Sequence, residues 1–219
     1  MNKSEVLKRI TEIGIVPVVR AASADEAMRA IDAIKEGGIS VLEITMTVPG
    51  AIAVIEEVGK RFGNEVTVGA GTVLDAETAR ACILAGAQFI VSPTLNLNTI
   101  EVCRRYSIAV VPGALTPTEV LTAWQAGADT VKVFPCNAVG GASYLKALKG
   151  PFPQVELIPT GGVSLKTAAD FIKAGASALG VGSDLVDTKA LRAGEPEKVT
   201  QAARAYVKAV REARASSFE

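Results

Sequence analysis

Eight short, β-rich apolar runs recur along this chain: 15–19 (IVPVV), 41–45 (VLEIT), 66–70 (VTVGA), 89–92 (FIVS), 108–111 (IAVV), 130–134 (TVKVF), 155–159 (VELIP) and 178–182 (ALGVG). Between most of them, apolar residues fall three and four positions apart, the spacing that gives a helix one apolar face. Ala27, Ala30, Ile31 and Ile34 show it, as do Leu121 with Trp124, and Ala168 with Phe171 and Ile172. Strands alternating with helices predict a parallel sheet with helical crossovers. Eight such units are the number that closes a (β/α)8 barrel, the TIM-barrel architecture.

The punctuation supports this. Helical stretches end in glycine before a new strand begins, at Gly37-Gly38, Gly86, Gly127 and Gly175. Glycine just past a helix end adopts the left-handed conformation that satisfies the last carbonyls. Ser23, Asp75, Thr116 and Ser164 are the expected N-caps, with Pro117 in the first turn of its helix. Ser23 followed by Glu26 fits a capping box. An open doubly wound sheet is the competing architecture. Gly69-Ala70-Gly71 lacks the third glycine that a dinucleotide site requires, which weakens that alternative.

With 219 residues, 49% of them hydrophobic, the chain can bury one sizeable core, and residues 1–219 read as a single barrel domain. Lys+Arg and Asp+Glu both number 23, without long runs of one sign, so no nucleic-acid footprint is expected. The chain has no histidine, which removes the usual general base and the commonest metal ligand. Cys82, Cys103 and Cys136 lack metal-like spacing and read as reduced thiols, Cys136 as a buried spectator. No apolar stretch is long enough to cross a bilayer, and the start of the chain lacks a signal-peptide core, so a cytoplasmic protein without membrane partners is expected. The first ten residues read instead as an extra amphipathic helix ahead of the barrel. Glu197–Arg214 suits a closing helix, and Ala215–Glu219 a frayed tail.

In a barrel of this kind the chemistry sits at the carboxyl ends of the strands. Lys132 lies between Val131 and Val133, and side chains alternate along a strand. If the valines face the helices, Lys132 and Phe134 face inward. A desolvated lysine that gives up its proton is a nucleophile for carbonyl carbon, forming a Schiff base. The alternative is an edge lysine with its head in water. By the same alternation Leu42 and Ile44 face outward, and Glu43 and Thr45 inward. Glu43 and Lys132 then form either an acid–base pair or a structural ion pair. Desolvation offsets the attraction within a buried ion pair, which favours the functional reading.

Pro159-Thr160-Gly161-Gly162 and Gly180-Val181-Gly182-Ser183 follow the seventh and eighth runs, where barrels commonly bind phosphate through backbone amides. Tight turns requiring positive φ are the alternative. Arg20 is a candidate carboxylate clamp or a solvated strand end. Thr45, Thr47 and Thr72 are candidates to donate hydrogen bonds to substrate or to satisfy turns.

The segments PVVRA (17–21), LEITMTVPGA (42–51), VGAGTVL (68–74), GAQFIVSP (86–93), PGALTPTE (112–119), VKVFP (131–135), KALKGPFPQV (146–155), PTGGVS (159–164) and GVGSDLV (180–186) cover most of the chain in order. Together they resemble the class I 2-keto-3-deoxy-6-phosphogluconate (KDPG) aldolases and their 4-hydroxy-2-oxoglutarate (KHG) aldolase relatives. The resemblance implies a (β/α)8 barrel, commonly a homotrimer, that needs no metal or separate cofactor. It also implies a small 2-keto acid substrate held covalently as a Schiff base on Lys132. It implies Glu43 as general acid/base, Arg20 and Thr72 at the pyruvate carboxylate, Pro93 and Phe134 as pocket walls, and Thr160 against the bound sugar. Gly161, Gly162, Gly182 and Ser183 would hold phosphate. Thr47, a candidate substrate contact, stands where some members carry an arginine, and the 136–141 loop lacks the acidic residue of other branches. A phosphate-binding barrel isomerase and a barrel used as an assembly scaffold are the competing functional readings.

Overall fold

A computed structural model describes residues 1–216. The chain opens with α1 (Lys3–Ile13), started by a reciprocal capping box between Asn2 and Glu5 and stopped by Gly14 at φ 72°. Then follow β1 (Ile15–Val19), α2 (Ala24–Glu36), β2 (Val41–Thr45), α3 (Ala51–Phe62), β3 (Thr67–Gly71), α4 (Ala76–Leu84), β4 (Phe89–Val91) and α5 (Leu97–Arg105). The second half runs β5 (Ala109–Val111), β6 (Gly113–Ala114), α6 (Pro117–Gln125), β7 (Val131–Val133), α7 (Ala142–Lys149), β8 (Leu157–Pro159), α8 (Ala168–Lys173), β9 (Leu179–Val181), α9 (Thr188–Arg192) and α10 (Glu197–Ala215).

All strand pairs are parallel, in two curled sheets ordered β5-β4-β3-β2-β1-β9 and β6-β7-β8. The expected fifth run, 108–111, forms β5, and beyond Pro112, which has no N–H to give to a ladder, the chain adds an unexpected short piece, β6. The first pairs with β4 and the second with β7. The Pro112 carbonyl still accepts from Lys132 N at 2.9 Å, joining the sheets on that side. On the other side Ser177 N donates to Leu157 O at 3.0 Å, and Thr160 bridges Gly180.

Two apolar layers follow from the alternation of side chains. Outward residues such as Leu42, Ile44, Val131 and Val133 pack under the helices in the main core. Inward residues Val16, Val41, Phe89, Val91, Val111 and Ile158 form a second cluster that includes Val6 and Ile10 of α1. The extra amino-terminal helix therefore plugs the floor of the curled sheet, one turn of its apolar face meeting the strand interior. Gly69 makes room there, since a Cβ on it would lie 2.4 Å from the Phe89 ring.

Asp75 and Thr116 cap their helices as expected, Thr116 in a full capping box with Glu119 and Pro117 in the first turn. Ser23 also caps its helix as expected, but its capping box with Glu26 and the Ser164 cap are corrected. Ser23 accepts from Glu26 N, but the Glu26 carboxylate does not return the bond to Ser23. It is 3% exposed and takes Arg192 Nε at 3.2 Å, a charged partner that a buried carboxylate requires. Ser164 caps nothing, because the next helix starts later, after Thr167, whose hydroxyl accepts from Ser164 N. The closing helix extends to Ala215, and Ser216 forms a turn. The rest of the expected frayed tail, residues 217–219, lies outside the described residues.

Candidate active site

Lys132 sits in β7, paired across to Gly113 and Ile158, with Val131 and Val133 buried on the helix side. Its side chain points inward, and Nζ lies 3.7 Å from Glu43 Oε1 of β2. The two side chains are only 5% and 3% exposed. At 3.7 Å the pair is an electrostatic contact without a hydrogen bond, and Glu43 Oε1 has no hydrogen-bond partner among the described residues. A carboxylate oxygen buried and unsatisfied in this way is costly unless its acceptor capacity has a use. Nζ also lies 5.5 Å from the centre of the Phe134 ring, within reach of a cation–π contact.

Glu43 fits because β3 is glycine-rich opposite it. A Cβ on Gly71 would come within 2.6 Å of Glu43 Oε1. Below the pair lies a small cavity of about 10 Å³ walled by Ile10, Val16, Phe89, Val91, Val111 and Ile158, with Thr160 and Gly180 at its edge. The same packing that dries the lysine thus comes from the α1 plug.

Above, a cleft of about 740 Å³ is lined by Arg20, Phe134, Thr160, Gly161, Gly162, Gly182 and Ser183, together with Val18, Ser164 and Asp184. Arg20 is exposed and makes no ion pair among the described residues. Gly161 and Gly162 adopt φ of 90° and 75°, so the conformational requirement for glycine holds there. The N–H groups of Gly162, Val163 and Ser183 donate to no acceptor among the described residues, leaving unpaired donors beside the cleft. Thr160 lines both the cavity and the cleft, joining the lysine to the glycine turns.

Three expected site residues lie apart from these linings. Thr47 is exposed, and its hydroxyl is 2.6 Å from Thr45 Oγ1, which bonds Val19 O, so it serves a turn network. Pro93 is half-buried against β6, where a Cβ on Gly113 would meet its carbonyl at 2.3 Å. Thr72 follows Gly71 at φ 56°, a rare conformation for a β-branched residue and a sign of local strain beside Glu43. Cys136 is buried, and burial pushes its thiol up to about 11, so thiolate is scarce near neutrality. Among the described residues, no cluster of three or more His, Cys, Asp or Glu side chains is placed to hold a metal ion, and no helix is long and apolar enough to cross a membrane.

Sequence reasoning missed Gly71, read above only as half of a failed nucleotide motif, and Asp184 with its partner Tyr206. The space demanded by Glu43 becomes visible only once β2 and β3 are adjacent.

A dry amine facing a carboxylate, beneath a polar cleft edged with free amides, is an arrangement that can support covalent chemistry on a small carbonyl compound. Residues 6–202 match the family model described as "Aldolase: KDPG and KHG aldolase". The 2-dehydro-3-deoxy-6-phosphogalactonate aldolase of Escherichia coli is 36% identical over 205 residues, covering 93% of this chain and 97% of that one. A Legionella pneumophila KDPG aldolase, solved with pyruvate captured as a covalent carbinolamine, is 29% identical with a TM-score of 0.85, over 92% of this chain and 97% of its own. A chain of a cube-shaped protein cage, designed by fusing symmetric oligomeric domains, is 35% identical with a TM-score of 0.86, over 94% of this chain and 74% of that one. The chain belongs to the KDPG and KHG aldolase family.

Proposed function

We propose that this protein is a class I aldolase that cleaves 2-keto-3-deoxy-6-phosphogluconate to pyruvate and glyceraldehyde 3-phosphate, with 4-hydroxy-2-oxoglutarate as a second substrate. The observation that carries the reading is the buried Lys132–Glu43 pair opening through Thr160 to a glycine-edged cleft. The amine of Lys132 attacks the C2 ketone, and the carbinolamine loses water to give an iminium. Glu43, 3.7 Å away, is the acceptor for the C4 hydroxyl proton. As that proton leaves, the C3–C4 electrons pass into the iminium, giving an enamine and the free aldehyde. Protonation at C3 and hydrolysis then release pyruvate and restore the amine. The iminium is the electron sink, so the scheme calls on no metal and no separate cofactor.

Arg20 takes an anionic group at the cleft mouth, Phe134 forms a wall, and Gly161, Gly162, Gly182 and Ser183 receive phosphate on their amides. Thr72 and Pro93 enter as contacts if the loops after β3 and β4 fold over bound substrate. The two curled sheets act as one closed (β/α)8 barrel, joined where the Pro112 carbonyl and the Thr160–Gly180 bridge meet their neighbours. Residues 1–219 work as a single domain in the cytoplasm, as a homotrimer. The family resemblance supports that assembly, and so does likeness to a chain drawn from symmetric oligomeric domains. An isomerase would have no need of a dry strand lysine, and a bare scaffold no need of an unsatisfied carboxylate facing it.

Pyruvate with borohydride should add one reduced pyruvyl group to Lys132, read by peptide mass. Mass added at another lysine, or none at all, overturns the assignment. Pyruvate release from gluconate- and galactonate-derived 2-keto-3-deoxy acids, with and without phosphate, then ranks the substrates.

A further inference from the structure

One carboxylate oxygen joins three separate segments beside the cleft. Asp184 directly follows Gly182-Ser183, and its Oδ2 accepts from Leu165 N at 3.3 Å, in the loop that carries Gly161-Gly162. The same Oδ2 accepts the hydroxyl proton of Tyr206, on α10. Tyr206 is wholly buried, the largest side chain in the core to be so, which leaves its ring no room to turn elsewhere. Burial, then the bond to Asp184, raises its phenol well above the ordinary value, so the hydroxyl remains a donor at any working pH. Asp184 itself is exposed, lines the cleft and makes no ion pair among the described residues. Folding therefore draws little from its charge.

We propose that Asp184, anchored by Tyr206, is a positioning residue that holds the Gly161-Gly162 and Gly182-Ser183 turns at the separation needed to bind one anion between them. This rests on the reading of those turns as the phosphate site. Without the anchor, the carboxylate is released toward the cleft and the bond to Leu165 is lost, so the turns no longer converge. The loss falls on recognition of the anionic end of the substrate rather than on the bond-breaking step at Lys132. A hydroxyl bond that merely satisfied a buried phenol would alter stability alone.

The test measures inorganic phosphate as a competitive inhibitor of pyruvate release, with KM and kcat for 2-keto-3-deoxy-6-phosphogluconate, in the full-length protein. Tyr206→Phe keeps the ring and removes the hydroxyl; Asp184→Ala removes the acceptor from the exposed side and serves if the first variant misfolds. Both should weaken phosphate inhibition and raise KM about tenfold, with a far smaller effect on kcat. Asp184→Asn keeps an acceptor oxygen without the charge and should hold the phosphate constant within about threefold of the parent. Phosphate inhibition that persists at the parental level in Tyr206→Phe and Asp184→Ala overturns the bracing, as does an Asp184→Asn variant no better than Asp184→Ala. Absence of competition in the parent protein overturns the phosphate site itself, and the proposal with it.

Discussion

Glu43 and Lys132 are neighbours only because two strands 89 positions apart in sequence point the same alternate residues inward, and their 3.7 Å separation leaves Glu43 Oε1 open to take a proton. Glu43→Gln keeps the shape and removes the proposed base. It should lower kcat by about 10²- to 10⁴-fold, the usual contribution of a positioned acid–base group, with the circular dichroism spectrum unchanged. Turnover within a few-fold of the parent would remove Glu43 from proton transfer. Gly71→Ala tests the same geometry from the other side, since its Cβ would fall 2.6 Å from Oε1. It should displace the carboxylate and cost about 10²-fold in kcat, the order expected when a catalytic group is misplaced by about an ångström. The inward positions of Lys132, Phe134 and Glu43 were legible from alternation alone. Gly71 was not, because the reason for it is a carboxylate on a different strand.

At the scale of elements, α1 has the largest effect on the site for its size. Val6 and Ile10, four residues apart on one face, are 1% and 3% exposed against the inward residues of β1, β4, β5 and β8. Ile10 also walls the cavity beneath Lys132, so the helix keeps water from the amine as well as filling the floor. Ile10→Ala should destabilise the fold by about 2–5 kcal/mol, the cost of truncating a buried isoleucine, measured by denaturant unfolding. A loss below about 1 kcal/mol would mean that α1 is a surface ornament. The sequence read correctly as an extra amphipathic helix here, but amphipathicity does not say which surface receives the apolar face. Pro112 went unread in the sequence, where the apolar run stops at Val111, and only the register shows that the residues on its two sides serve different partners.

Across the whole molecule, the three thiols are all buried and free. Burial, the leading cause for each, pushes Cys82, Cys103 and Cys136 from 9.0 up to about 11, 12 and 11. Below pH 9 the thiols keep their protons both folded and unfolded, and contribute no pH dependence. Above it, the unfolded chain releases protons that the native protein retains, so stability falls as pH rises until the native thiols titrate. The slope approaches about 1 kcal/mol per pH unit for each thiol. Melting temperature should therefore drop between pH 9 and 10.5, and Cys136→Ala should show a shallower decline. A slope identical in the variant would assign the effect to other groups.

Local chemistry written in the chain determined the alternation of strands and helices, the helix stops at glycine, most caps, and which residues of each strand share a face. Those depend on neighbours within a few positions. Tertiary structure decided the rest: Glu26 abandoned its capping box for Arg192, α1 became the floor, Thr47 turned to its own loop, and Asp184 found Tyr206. Each depends on a partner 22 or more positions away or on competition among nearby acceptors, and burial settles such competitions by penalising whichever polar group is left unsatisfied.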